Sequence, residues 1–592
     1  MKRYSITFCL IVFLSLVFLN PVVMAASEYP DFIEGDYQYK ITKQASANKL
    51  GEVSVCQINN RALKVANIPS TVTHKHKKYK IIAIGRDAFS YTSSISTVSI
   101  PKGVISIGEG AFSGCTNLKS ISVPEGVTEI GDMAFMSCGM KNIVLPSSLK
   151  KLGKLAFSGS NIESITIPLG VKTIENDVFV GCASLQKVNL HEGITSIGER
   201  AFSYCKSLKK ITLPNNITTI GVYAFSGCNN LQEIKLPASL KKIEIFTFWK
   251  CTNLTSVLIP SKTTEIGKSA FSECNSLAEI TIPDSVKIIG ESAFYHCIGL
   301  KKAMISNSVI DIKEETFSGC SSLVELKLPQ NIKSIGTLAF LECTSLESVY
   351  LPDTLEKFGV FAFQYCSSLE KINIPKRLKE FNGAFQGTKW LKDQTKNNQF
   401  VIINNILLSV SIEKSLGVSE GGEYYSYSVV TIPKGVTQID SGCFQACYTL
   451  SKVSIPEGVT KIGDCAFAQC NSLDSMNIPN SVTSIGATAF SACRGLKSID
   501  LSRSNITKID ENTFADCDEL ENITLPNKLT NIESSAFRNC KNLKSISIPT
   551  NVSYIHGDAF AYTNTTIVCK KDSYAHKWAL QSKHSYKLAN VQ

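Results

Sequence analysis

The sequence predicts an α/β repeat solenoid with a parallel β-sheet on one face and an irregular or short-helical outer face, in about twenty 23-residue repeats. Three observations predict it. A phenylalanine recurs at steps of 22 to 24 residues, at Phe89, Phe112, Phe135, Phe157, Phe179, Phe202, Phe225, Phe248, Phe271, Phe294, Phe317, Phe340, Phe363 and Phe385, and then at Phe444, Phe467, Phe490, Phe514, Phe537 and Phe560. Around each one the chain reads A-F-x-x-C-x-x-L-x-x-I-x-I-P-x-x-V-x-x-I-G with small variations. At 592 residues the chain is also too long for one compact core to keep growing. Self-similarity at a fixed period outranks any local reading.

The elements follow in chain order. Lys2 and Arg3 precede an apolar run from Ile6 to Leu19, and small residues follow near Ala25 and Ala26. This reads as a secretory signal over 1–26, too short to span a bilayer comfortably. Residues 27–81 read as an N-terminal β cap, since "DYQYKIT", "EVSVCQI" and "KYKIIAIG" alternate apolar and polar residues as strands do. The first block of repeats covers 82–385, in about 14 copies.

The unit after Phe202 shows how one copy works. Leu208, Ile211 and Leu213 have the L-x-x-L-x-L spacing of a leucine-rich repeat. Ile211 and Leu213 alternate with Lys210 and Thr212, which gives a short strand with one buried face. Pro214 ends that strand, because proline cannot donate to a ladder. Ile217 and Ile220 point inward again, and Gly221 permits a turn. One unit cannot bury its own apolar side, so neighbours must stack.

Sixteen cysteines stand three residues after the recurrent phenylalanine: Cys115, Cys138, Cys182, Cys205, Cys228, Cys251, Cys274, Cys297, Cys320, Cys343, Cys366, Cys447, Cys470, Cys493, Cys517 and Cys540. The other copies have Thr92, Ser160, Thr388 and Thr563 there. A position that accepts cysteine or a small hydroxyl residue reads as a structural thiol ladder filling the interior. A disulfide framework would lose partners at random under such replacement. Cys443 and Cys465 lie off the ladder in adjacent copies and could form a bond; Cys56 and Cys569 lie in the end regions, unassigned.

Between Phe385 and Phe444 the chain spends 59 residues where 23 would serve. The resulting island, 386–430, has a strand-like stretch at 400–410 and a glycine- and serine-rich stretch after it. It reads either as a projecting ligand contact anchored by Trp390, Tyr424, Tyr425 and Tyr427, or as an insert that packs those aromatic residues inward. A second block of about 6 copies covers 431–569. Residues 570–592 form a C-terminal cap, in which Tyr574, Ala575, Trp578 and Ala579 have helical spacing for one apolar face.

This pattern resembles the BspA-type leucine-rich repeat, over residues 82 to about 569. The resemblance implies a secreted or surface protein that contacts other proteins, as an adhesin or a protein-binding surface protein. It brings no catalytic residue with it.

Composition is that of a folded chain, 44% hydrophobic and 19% charged. Loss of Lys2 and Arg3 with the signal lowers the formal charge from +11 to +9. Lysine supplies most of it, spread along the chain, which suits weak, salt-screened attraction to acidic surfaces and gives no nucleic-acid signature. No later segment is apolar enough to cross a membrane. Catalysis needs convergent reactive groups. None of the seven histidines lies in a zinc-protease motif, and no serine elbow or phosphate loop occurs, so neither a catalytic nor a metal site is expected and no cofactor is implied. His74 and His76 read as a solvated basic loop or a weak metal pair.

The register of the strands places Ser120, Ser122, Lys187, Asn189, Lys210, Thr212, Glu233, Lys235, Glu279, Thr281, Glu325 and Lys327 outward. That face is polar, with Tyr350 as an aromatic exception and Leu258 and Met304 in nearby copies. The expected role is non-enzymatic binding of extracellular or host surface proteins. A polysaccharide-binding protein and a structural surface component without a discrete ligand are the alternatives.

Overall fold

The computed structural model describes residues 29–376, 378–411 and 428–589. The signal reading over 1–26 and the candidate contacts Tyr424, Tyr425 and Tyr427 lie outside them. The described residues fall into two compact units, one reaching from 29 to 240 with 247–254 and the other taking 241–246 and those from 255 onward. Each is a parallel solenoid built from the same unit.

In the first unit, the copy around Phe202 has three sides. Lys210–Thr212 pairs parallel with Glu233–Lys235, residue for residue at the repeat step. Thr219–Ile220 pairs parallel with Ser196–Ile197 and forms a second, narrower ladder. In both, the central or second residue is buried and its neighbours face out. Pro214 follows the first strand, and its carbonyl accepts the Ile217 N–H at 3.3 Å, turning the chain toward the second.

The third side decides between the two readings of the outer face: it is made of turns, not helix. Arg200 and Tyr204, two residues either side of Phe202, take left-handed φ values of 51° and 58°. Such residues cost about 1–2 kcal/mol each for an L side chain. The return is that alternate peptides point along the stack. The N–H groups of Arg200, Phe202 and Tyr204 donate to the carbonyls of Val222, Ala224 and Ser226 in the next copy at 3.0, 2.8 and 2.7 Å. All three sides are therefore hydrogen-bonded from copy to copy, which a dry interior requires. Inside that side the recurrent rings stack, Phe179 on Phe202 at 5.3 Å and Phe202 on Phe225 at 5.4 Å, nearly parallel.

The N-terminal end of the first unit is closed by strands. β1 (Phe32–Glu34), β2 (Tyr37–Lys43) and β3 (Gly51–Ile58) form an antiparallel meander. β3 then pairs parallel with β4 (Lys77–Ile84), which leads into the repeat ladder at Ser106–Ile107. The Tyr37 ring meets Phe89 edge-on at 6.1 Å, and the Ile58 N–H reaches the Ala88 carbonyl at 2.9 Å. His74 stacks on Phe32 at 4.2 Å, at the foot of a hairpin whose turn residues Lys75 and His76 are left-handed.

The second unit repeats the design, with Phe271, Phe294 and Phe317 stacked at 5.4 and 5.2 Å. The island is part of its wall. The helix Lys389–Asn397 starts at Thr388, whose Oγ1 accepts the Leu391 N–H at 3.2 Å. An antiparallel hairpin follows, Phe400–Ile403 with Ile406–Val410, turning at left-handed Asn404 and Asn405 as a two-residue hairpin loop demands. Ile406–Leu407 then pairs parallel with Gln438–Ile439, so one hairpin arm does the work of a repeat strand. Ser428–Thr431, where the island passes into the second block, pair parallel with Leu450–Ser454.

The second block ends under the helix Tyr574–Gln581. Ser573 Oγ accepts the His576 N–H at 3.3 Å. Trp578 lies against Phe560 at 5.8 Å, and His584 stacks on Trp578 at 4.9 Å. Ala575, Trp578 and Ala579 are buried, but Tyr574 is not: at the first position of the helix it turns outward and is 39% exposed. The strand Tyr586–Leu588, which helical periodicity does not signal, adds in parallel to Thr566–Cys569.

Candidate functional site

Three places merit attention: the thiol interior, the seam at the island, and the outward strand face. The interior follows from one dimension of the repeat. With cysteine three residues beyond phenylalanine, its thiol faces the carbonyl of the preceding copy's phenylalanine. Cys205 Sγ donates to Phe179 O at 3.2 Å, Cys228 to Phe202 O at 3.1 Å, Cys320 to Phe294 O at 3.3 Å and Cys493 to Phe467 O at 3.0 Å. The same carbonyl accepts the backbone N–H of its own copy's cysteine, as Phe202 O does from Cys205 N at 3.2 Å. Both lone pairs are used in a site closed to water.

Hydroxyl substitutes bond differently. Ser160, Thr388 and Thr563 turn to the phenylalanine carbonyl of their own copy, Phe157, Phe385 and Phe560, at 2.7, 2.7 and 2.9 Å. Phe385 and Phe560 close their blocks, so no cysteine follows at the repeat step to supply the second donor. Thr92, in the first copy, has a buried Oγ1 with no hydrogen-bond partner.

Burial pushes the thiols up, to about 11 at Cys115 and Cys182 and about 12 at Cys228, Cys297 and Cys540. They are protonated near neutrality and poor nucleophiles. Cys447 is half-buried, in the first copy of its block. Cys443 and Cys465 are separate thiols, one buried and one half-buried at a left-handed turn position. Cys56 donates to Gln38 O at 3.4 Å in the N-terminal cap, and Cys569 is buried in the last ladder.

At the island, Asp440 is buried and Oδ2 accepts the Gly383 N–H at 2.9 Å. In a regular copy that N–H would meet a carbonyl; here a carboxylate takes its place. Gln386 Nε2 donates to Leu408 O at 3.0 Å, and Lys461 Nζ donates to Asn382 Oδ1 at 3.4 Å, with Glu380 3.8 Å away. Burial raises Asp440 to about 7, against the lowering pull of the Gly383 and Ser441 N–H groups and Lys461. A buried carboxylate so displaced often marks chemistry. Its Gly383 and Ser441 N–H partners stand on the two sides of the join, so this carboxylate takes the place of a backbone acceptor there. Among the described residues no three His, Cys, Asp or Glu side chains are grouped to hold a metal ion.

The candidate contacts are divided. Trp390 packs edge-on against Phe385 at 5.3 Å, half-buried over the end of a phenylalanine stack, and its backbone N–H donates to Leu369 O at 2.7 Å. Tyr350 is 62% exposed on the strand face. Leu258 and Met304 occupy the same column four and two copies earlier, Leu258 at 77% exposure and Met304 half-buried. Thr281, Met304 and Lys327 are paired neighbours in the ladder between them. In the first unit the corresponding outward position holds Val144, 83% exposed, which sequence reading missed. The "IVLP" register already turned it outward.

A repeat with a ladder strand, an I-x-I-P stop, an inward I-G and a phenylalanine-cysteine turn is a family property, and the profile of the BspA type leucine rich repeat region (6 copies) matches residues 82–209, 172–301, 287–412 and 424–568. The chain belongs to the BspA-type leucine-rich repeat family. No curated protein matches it. Among solved structures, a leucine-rich repeat protein from Bacteroides ovatus is 38% identical over 61% of this chain and 96% of its own, with a TM-score of 0.55. A leucine rich cell surface protein from Faecalibacterium prausnitzii is 28% identical over 59% of this chain and 96% of its own, with a TM-score of 0.41. The pneumococcal vaccine antigen PcpA is 17% identical over 95% of this chain and 98% of its own, with a TM-score of 0.28. Leucine-rich repeat proteins bind other proteins, and this BspA-type chain is such a scaffold. No helix among the described residues is long and apolar enough to cross a membrane.

Proposed function

We propose that this BspA-type protein is a secreted or cell-surface scaffold that binds extracellular proteins of a host or neighbouring cell and carries no enzymatic activity. The observation behind it is the column Leu258, Met304 and Tyr350. Outward residues elsewhere on this face are mostly Ser, Thr, Lys, Glu and Asn, while these three present apolar surface on every second copy, about 10 Å apart. Apolar anchors in a polar field are how protein interfaces concentrate affinity. A non-enzymatic role is supported by the buried ionisable groups: ladder thiols held protonated, and Asp440 tied into a backbone seam.

The test compares the chain with a Leu258→Ser/Met304→Ser/Tyr350→Ser variant for binding to immobilised extracellular-matrix proteins. Saturable, salt-tolerant binding that the variant loses, at unchanged melting temperature, carries the proposal. Binding that survives in this variant but is lost in Tyr424→Ser/Tyr425→Ser/Tyr427→Ser, at unchanged melting temperature, would move the contact to the island. Absence of binding by the parent chain to every matrix protein would overturn adhesion.

A further inference from the structure

Lysines are spread along the sequence, but the net charge is not. Residues 82–569 carry 45 basic and 44 acidic side chains, a net of +1. Many of these pair between neighbouring copies, as Lys210 does with Glu233 and Lys302 with Glu325. Residues 570–592 carry five lysines and one aspartate, a net of +4 in 23 residues. The N-terminal cap, 27–81, also reaches +4, but with nine basic and five acidic side chains and with Lys40, Lys43 and Lys80 in ion pairs.

The five C-terminal lysines are Lys570, Lys571, Lys577, Lys583 and Lys587. All are exposed, and none forms an ion pair among the described residues. The single acid, Asp572, lies 4.0 Å from His576 instead. Among and beside the lysines stand Tyr574, Leu580, Tyr586 and Leu588, 39 to 53% exposed. The strand Tyr586–Leu588 ends its sheet, with all three residues exposed.

We propose that this C-terminal cap is a docking surface for an anionic polysaccharide, a chain of sugars bearing carboxylate, sulfate or phosphate groups. Lysines without acidic partners attract a polyanion at long range and place ammonium groups for its anions. The tyrosines present a flat apolar body with a polar tip, the form that suits a sugar ring. A membrane fits less well: the apolar residues of the helix, Ala575, Trp578 and Ala579, are buried against the protein, so the helix has no apolar face to sink into lipid.

The experiment uses the chain from residue 27 and two variants of equal charge change. One is Lys571→Gln/Lys577→Gln/Lys583→Gln/Lys587→Gln, and the other is Lys49→Gln/Lys75→Gln/Lys77→Gln/Lys78→Gln. Binding to heparin, to neutral dextran and to phosphatidylglycerol–phosphatidylcholine vesicles is measured at ~0.05 M and ~0.5 M salt, with melting temperatures in parallel. The expected result is heparin binding at low salt with no dextran or vesicle binding, weakened about tenfold by the C-terminal substitutions and less than about twofold by the N-terminal ones. Equal weakening by both variants would show bulk charge at work and overturn the proposal. So would C-terminal substitutions without effect, no heparin binding by the parent chain, or capture by vesicles in place of heparin. If the fourfold C-terminal variant melts low, Lys577→Gln/Lys587→Gln is read by the same criteria, with about a threefold loss expected.

Discussion

The Tyr204 ring lies over Gly227, so close that a Cβ on Gly227 would come within 2.7 Å of Tyr204 Cδ1. Both stand two residues past the recurrent phenylalanine, in successive copies. Tyr91 covers Gly114, His296 covers Gly319 and Tyr365 covers Gly387 in the same way, each at 2.6 or 2.7 Å. The turn side thus pairs a planar ring with the glycine that leaves room for it. Gly227 also has φ of +70°, where a side chain is strained whatever the space.

Gly227→Ala is expected to destabilise the protein by about 2 kcal/mol, from left-handed strain and the ring clash together. Adding Tyr204→Ala should recover roughly half of that, because the clash goes and the strain stays. Urea titration of the two variants and the parent measures it. Additive losses in the double variant would show that ring and glycine are uncoupled.

The thiols are expected to separate by burial. Cys56, half-buried in the N-terminal cap, should react first with a thiol reagent in the native protein; Cys447 and Cys465, half-buried but pushed up by burial to about 12 and about 11, should follow only as pH is raised, and the fully buried ladder cysteines only in denaturant. Counting modified cysteines by mass at increasing pH checks this. Cys228→Ala should cost about 1 kcal/mol, for the bond to Phe202 O and a small void. Early labelling of Cys205 or Cys228 would mean that the interior opens readily.

Asp440 gives the seam a pH dependence. Its native value, about 7, lies above the unfolded value, so the folded state binds the extra proton between about pH 4 and 7. Its contribution to stability is therefore complete at acid pH and declines as pH rises through that window. The charged neighbours are Lys461, Glu380 and Asp464, the last also raised by burial. In Asp440→Asn the melting temperature should fall less between pH 5 and pH 8 than in the parent. Parallel pH profiles would contradict the assignment.

Thr388 joins two structures with one hydroxyl, donating to Phe385 O and accepting the Leu391 N–H. Thr388→Val keeps the shape and removes both bonds. The expected loss is about 1–2 kcal/mol. Hydrogen exchange should show it as faster exchange in Lys389–Asn397, while strands remote from the island keep their protection.

How far the sequence disclosed this can be judged residue by residue. Period, strands and interior were readable because Ile211, Pro214 and Ile220 each allow one role. The absence of helix on the turn side was not readable. Left-handed φ at Arg200, Tyr204 and their equivalents is compatible with many side chains once neighbouring peptides bond to it, so only the copies with glycine there, such as Gly227, announce it. Trp390 shows the limit at the island: an aromatic residue outside the period reads equally as an anchor for a partner or as a lid on Phe385. The net charge was readable at the C-terminal cap only when counted segment by segment.

The turn side has an electrical consequence. Its N–H groups point to the following copy and its carbonyls to the preceding one, as with Phe317 N and Ala339 O at 2.8 Å. Aligned peptides add their dipoles as they do along a helix, leaving a partial positive charge where a run of copies stops. Gly383 N–H lies at such a stop, and the group that meets it is the Asp440 carboxylate. Each uninterrupted run is in this sense a battery, with its poles fixed by chain direction.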